Sequence, residues 1–266
     1  MGTTVEGTFQ LTAPTYPKGI LLGDITEPTQ SIVEESSTQH YHLNTSLVYS
    51  DGRKFRYSKN GGTALSKALM TTSEALYGYV LEETQSTYGT SAEIGDHEID
   101  IDVTTGGSYT ENEFADGWLI VGTGTGIGDI YKILANKING SDDTLMRVLL
   151  ERPIRTAWAA NTVITLVKNP RRDVDVMPTT AEGTPAGIPL IDVTIDYYCW
   201  LQTGGYAPCL VDTDDTLIKG QPAGYPTSPA VPGACGVPAA TDAVWGIAVY
   251  IAAAGKAAIL DLKLDS

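Results

Sequence analysis

Carboxylates are the only abundant reactive side chains in this sequence, with 32 Asp and Glu among 266 residues. In HEIDIDVTT, Glu98, Asp100 and Asp102 alternate with Ile99, Ile101 and Val103, so a strand there has one apolar face and one carboxylate face. Such a row can offer oxygens to a hard cation such as Ca2+, or it can keep a solvated edge strand from pairing further. Asp212, Asp214 and Asp215 form a second acidic turn open to the same two readings. A glycosidase needs two carboxylates roughly 5 to 9 Å apart across a cleft, and sequence spacing neither supplies nor removes that arrangement.

Other chemistries fail sooner. Of the three histidines, His40 and His42 sit in the polar run TQSIVEESSTQHYH, without the burial or orienting partner a general base needs, and the third is His97. There is no G-x-S-x-G elbow and no H-E-x-x-H helix. The glycines of GTGTGIGD, Gly122 to Asp129, fall at every second position, no Lys-Ser/Thr follows, and DIYKILANKI beyond them alternates like a strand. That reads as a glycine-rich β-turn rather than a phosphate cradle. Cys199, Cys209 and Cys235 are odd in number and lack C-x2-C spacing, which predicts reduced, packed thiols. The expectation is a chain without catalysis, metal or cofactor.

The elements that would position any site are β in character. Glycine, threonine and tyrosine are abundant, a composition suited to strands and turns. HEIDIDVTT, WLIVGTG, DIYKILANKI, LMRVLLERPI and TVITLVKNP are strand-like runs separated by Gly, Asn-Gly and Asn-Pro punctuation, the pattern of a sandwich or barrel. Trp118, Trp158, Trp200 and Trp245 are embedded in apolar strand patterns and are expected in cores. We therefore expect an all-β protein with at most one short helix, capped by Thr63 and carrying Leu65 and Leu69 on one face.

Residues 1–50 hold one basic residue, Lys18, and no strand or helix period, so they read as an extended N-terminal arm, either a frayed terminus or one that orders across a neighbouring subunit. Residues 51–178 read as the main β domain. MPTTAEGTPAGIPL, Met177 to Leu190, reads as a linker or crossing segment, and residues 190–266 as a smaller C-terminal β domain in which GGYAP is a turn. AVWGIAVYI and AAILDLKL around AAAGK read as a closing hairpin.

Net charge narrows the partners. At −15 the chain repels a phosphate backbone, which excludes sequence-general nucleic-acid binding. The longest nearly apolar run, Ala243 to Ala254, falls short of the ~20 residues of a membrane helix and contains Gly246, so no membrane partner is expected. No signal-peptide pattern begins the sequence. Thirteen of the 17 basic residues lie between Arg53 and Arg172. Arg53, Lys54, Phe55, Arg56 and Tyr57 in one short strand, together with Arg171 and Arg172, are the candidate interface, able to meet acidic patches on another subunit.

DGRKFRYSKNGGTAL, FADGWLIVGTGTGIGDIYKILANK, LERPIRTAW, VITLVKNP, YYCWLQTGGYAPCLVD and GIAVYIAAAGKAAILDLKL together give the chain a resemblance to virion structural proteins of tailed bacteriophages, of the capsid decoration or cement type. These segments cover most of the chain beyond residue 50 and are strand-and-turn patterns, not chemical signatures. The resemblance implies a β-rich subunit on the outer surface of the virion head, often a homotrimer, partnered with the major capsid protein and with itself. It implies no active-site residues. The alternatives are a receptor- or glycan-binding fibre module, which needs an exposed aromatic patch and is favoured if Trp118, Trp200 and Tyr206 are exposed in one concave site, and another non-enzymatic tail or connector component.

Overall fold

Alternation of apolar and polar residues produces most of the architecture. The computed structural model describes residues 20–23, 28–73, 80–84, 92–102, 109–138, 145–159, 162–180 and 183–265, and every regular element among them is a strand. The protein is all-β, as expected. Thr63 to Leu69 is irregular with a buried Leu65 and forms no helix; Ala68 there takes a left-handed φ of 62°, incompatible with helical continuation.

The chain divides into two units. Among the described residues, the first falls within 80–169 and the second joins those of 20–73 to those of 170–265. The first holds β5 (Val80–Thr84), β6 (Glu98–Asp102), β7 (Trp118–Thr123), β8 (Ile130–Ile138), β9 (Leu145–Leu150) and β10 (Val163–Val167), in the antiparallel order β5-β10-β7-β8-β9-β6. Its end strands β5 and β6 approach each other. Alternate residues of one face, including Ile99, Ile101, Leu119, Val121, Ile133, Val148, Ile164 and Leu166, fill a single core. The glycine run turns β7 into β8, with Gly124, Gly126 and Gly128 at φ of 85 to 87°.

The second unit carries β1 (Ile20–Leu22), β2 (Ser46–Val48), β3 (Lys54–Lys59), β4 (Thr71–Thr72), β11 (Asp175–Val176), β12 (Pro185–Pro189), β13 (Tyr198–Leu210), β14 (Pro222–Gly224), β15 (Val244–Ala248) and β16 (Ala257–Lys263). They form one sheet, β1-β2-β3-β13-β12-β4-β11, from which β16, β15 and β14 continue off β13. This division differs from the expected 51–178 and 190–266, because β3 pairs with β13 from Tyr198↔Lys59 to Gly204↔Lys54, well over a hundred residues away. Pairing at that separation leaves no local trace in the sequence.

Three further expectations change. Residues 28–50 are folded onto their own unit: Tyr41, Leu43 and Leu47 are buried with Phe55, Tyr57 and Trp200. Gln30 ties this segment down, accepting from Tyr57 Oη at 2.6 Å and donating to the Tyr198 carbonyl at 2.8 Å, while its own carbonyl accepts Trp200 Nε1–H at 2.9 Å. Residues 1–19 lie outside the described residues. The segment read as a linker contains β12, a buried inner strand whose two prolines stand at its ends, where the ladder tolerates them. GGYAP is not a turn: β13 runs unbroken through it, exchanging partner β3 for β16 at Gly204. At Gly205 φ is 76° and a Cβ would meet the Gly52 carbonyl oxygen at 2.7 Å, so only glycine lets the strand pass. The closing pair is a hairpin, β15 with β16.

Candidate docking face

The strand expected at an interface is mostly inward. Phe55 and Tyr57 are fully buried, because the period of two that puts Arg53, Lys54 and Arg56 elsewhere puts the aromatic rings in the core. Arg53 pairs with Asp51 at 2.7 Å and lies over the Tyr49 ring. Arg56 holds both carboxylate oxygens of Asp265, with Nε at 2.5 Å and Nη2 at 3.1 Å, and Lys54 Nζ donates to the Asp265 carbonyl at 3.0 Å. Arg171 donates to the Ala186 carbonyl, and burial pulls its guanidinium down to about 10, partly offset by the Asp265 carboxylate. Arg172 is half-buried as well. Lys54 and Arg56 thus clamp the C-terminal segment onto β3, while Arg53 is held by Asp51.

Asp265 is the hub of that clamp. Burial alone would raise its carboxyl, but the hydrogen bonds from Arg56 and Thr203 and the positive charges of Arg56 and Arg171 outweigh burial and hold it below its ordinary 3.8. The stabilisation is therefore complete above the ordinary value and is lost as pH falls through the lower folded one. Asp265→Asn should cost about 1–2 kcal/mol at pH 7, discounted for partial exposure. Urea melts at pH 7 and pH 3 check this, since the difference between variant and parent should shrink at the lower pH.

The acidic features are also spoken for structurally. Asp100 makes a bidentate pair with Arg147 directly across from it on β9, at 2.8 and 2.9 Å, while Glu98 is exposed. The Asp102 side chain lies outside the described residues. Asp212 is fully buried, and its carboxylate accepts the amides of Val231 at 2.8 Å, Ala230 at 3.0 Å and Asp214 at 3.2 Å. Burial would raise its carboxyl, but these amides hold it below the usual range. Asp215 accepts the Val237 amide at 3.2 Å, so the pair pins the proline-rich 222–238 loop. Asp212→Ala strands three amides, and we expect a loss of about 2–4 kcal/mol, measured as a lowered chemical-denaturation midpoint.

Among the described residues, no three His, Cys, Asp or Glu side chains converge on a common point. A serine–histidine contact, Ser36 Oγ to His40 Nε2 at 3.2 Å, belongs to a turn in which Ser36 also donates to the Thr38 carbonyl at 2.9 Å and accepts its amide at 3.0 Å. All three cysteines are buried and free; burial pushes the Cys199 thiol up to about 12. Of the three aromatics that would favour a fibre module, Trp118 and Tyr206 are exposed and Trp200 is buried in its own core.

What the second unit does expose is a sheet face whose apolar residues lie around the Lys263–Asp261 ion pair. Directly opposed residues of an antiparallel pair share a face, so the registers Tyr206↔Asp261, Pro208↔Ile259 and Ile247↔Asp261 place Tyr206, Pro208, Ile259 and Ile247 together. The alternate residues Ala207, Cys209, Leu260 and Leu262 point into the core. Tyr206 is 64% exposed, Ile247 43% and Ile259 39%. Tyr250, whose hydroxyl donates to the Ala257 carbonyl at 2.7 Å, extends the face with exposed Ile251 and Ile218, which flank the Leu217↔Ala252 bridge. Of these residues the sequence pointed only to Tyr206, because the outer side of β16 interleaves Ile259 with the charged Asp261 and Lys263.

No family model matches this chain, and no curated protein or solved structure matches it.

Proposed function

We propose that the chain is a bacteriophage capsid decoration protein, a non-enzymatic subunit that binds the outside of the assembled head and reinforces it through contacts with the major capsid protein and with copies of itself as a homotrimer. The observation that carries this reading is the exposed apolar face of β13, β16 and β15 on a chain whose net charge is −15. Contiguous apolar patches on otherwise polar surfaces mark protein partners. Two of the segments that carry the family resemblance, YYCWLQTGGYAPCLVD and GIAVYIAAAGKAAILDLKL, are the ones that build this face.

The reading does not draw on an arm over residues 28–50, which serve their own core, nor on the basic strand, which clamps the C-terminal segment. Its physics is simple. A subunit that binds the closed lattice and not the dissociated parts stabilises the lattice by mass action. Many such contacts on a symmetric shell add through effective concentration. The negative charge keeps the free subunit dispersed until it docks.

The test is location. Antibodies against the chain should label the exterior of intact purified heads in immunogold microscopy, and the chain should co-sediment with them; its absence from DNA-filled heads overturns the proposal.

A further inference from the structure

Cys209 and Cys235 are fully buried in one core of the second unit. Cys209 lies on the inner side of β13, and Cys235 belongs to the proline-rich 222–238 segment. Cys235 forms a bridge with Val211: its amide donates to the Leu210 carbonyl at 2.8 Å, and its carbonyl accepts the Asp212 amide at 2.9 Å. Residues 209 and 211 share one side of the chain, so this register turns the Cys235 side chain toward Cys209. The Cys209 sulfur interacts with both the Cys235 thiol and the Cys235 backbone N–H. Cys199 lies in a separate core with Leu65, Val174 and Leu201. The three free cysteines are therefore one contacting pair and one solitary residue.

Hydrogen bonds pin the 222–238 segment, through Asp212 to Ala230 and Val231 and through Asp215 to Val237. We propose that Cys209 and Cys235 are a redox staple: a small-molecule disulfide oxidises them to a disulfide that ties this segment covalently to β13. In the first step the Cys235 thiolate attacks a sulfur of oxidised glutathione and expels one glutathione thiolate. The Cys209 thiolate then attacks the Cys235 sulfur of the mixed disulfide and expels the second. The chain gives up two protons and two electrons, and oxidised glutathione is reduced to two thiols. Burial, with the Cys235 thiol beside it, holds the Cys209 thiol well above its ordinary value, so the closed core reacts slowly. Exchange therefore proceeds through local openings of the segment, and the Asp212 carboxylate that pins it sets their frequency. The inference does not rest on the docking reading.

The test uses the full folded chain at about pH 8 with oxidised glutathione in excess. The intact mass should fall by two hydrogens, and the thiols titrated after unfolding should fall from three to one. Cleavage after Tyr206 and Lys219 places the three cysteines on separate peptides, and without reductant those of Cys209 and Cys235 should be joined. The second unit of the oxidised chain should melt about 4–16 °C above that of the reduced chain. Asp212→Ala, which unpins the segment, should speed bridge formation at least about 10-fold below its own melting transition. Cys235→Ser should gain neither the bridge nor the stabilisation, and Cys209→Ala serves the same purpose if that variant fails to fold. A bridge that forms only in urea, or one that includes Cys199, overturns the proposal. So does a glutathione adduct that persists on Cys235, or an oxidised chain that melts no higher than the reduced one.

Discussion

Tyr206→Lys combined with Ile259→Lys is expected to release the chain from its assembly while leaving its fold intact. Both side chains stand on the outer face of the sheet, so the substitutions add no volume to the core. Lysine at 206 faces Asp261 across the ladder, a favourable cross-strand pairing. Exposed substitutions of this kind usually change stability by under about 0.5 kcal/mol. In a docked face the same two ammonium groups would be desolvated. Losing two anchor contacts of about 2 kcal/mol each predicts at least a 100-fold weaker isotherm in co-sedimentation with heads. Sedimentation velocity should show the double variant as a monomer under conditions where the parent self-associates. Retention of parental affinity would remove this face from the proposed function.

Trp200→Ala should have the largest effect on stability. The indole is 1% exposed, packs 5.0 Å from the Tyr57 ring and 5.3 Å from the Tyr41 ring by centroid, and anchors the 28–50 segment through the Gln30 carbonyl. Truncating a buried tryptophan costs about 3–5 kcal/mol, a large share of the 5–15 kcal/mol a domain ordinarily has. At about 2–4 °C per kcal/mol, the second unit should melt roughly 6–20 °C lower by calorimetry. The first unit has its own core, built from other residues, so its transition should stay in place. A uniform drop of both transitions would show that the two cores are not energetically separate.

What was legible in the sequence followed its local periods. HEIDIDVTT, WLIVGTG, DIYKILANKI, LMRVLLERPI and TVITLVKNP correspond to β6, β7, β8, β9 and β10, and the closing pair to β15 and β16, because alternation and turn residues are read within ten positions. β13 was cut at GGYAP because paired glycines ordinarily end strands, and only the close approach of the Gly52 carbonyl shows why they continue one. Phe55 and Tyr57 of the candidate interface are buried for a reason present in the sequence: in RKFRY the aromatics alternate with the charges, and one face of that alternation had to be buried. The apolar face was illegible for the opposite reason. Over residues 206–210 β13 is apolar on both sides and looks like a strand covered on both sides, and nothing in Tyr206, Pro208 or Ile259 states that their side stays open. Asp212 and Gln30 were likewise hidden, since a polar residue's burial depends on partners far along the chain.

The insertion of the first unit between the two stretches of the second also sets an order of events on the ribosome. β2 and β3 emerge with Leu47, Phe55 and Tyr57 ready to pack, yet β13 follows them by well over a hundred residues. At about 5–20 residues per second that is a wait on the order of ten seconds. Meanwhile the intervening six strands can close on their own side chains, whereas the waiting aromatics cannot. Slowed elongation or chaperone depletion during that interval should therefore send newly made chains into aggregates through the early strands, even where the finished protein is stable.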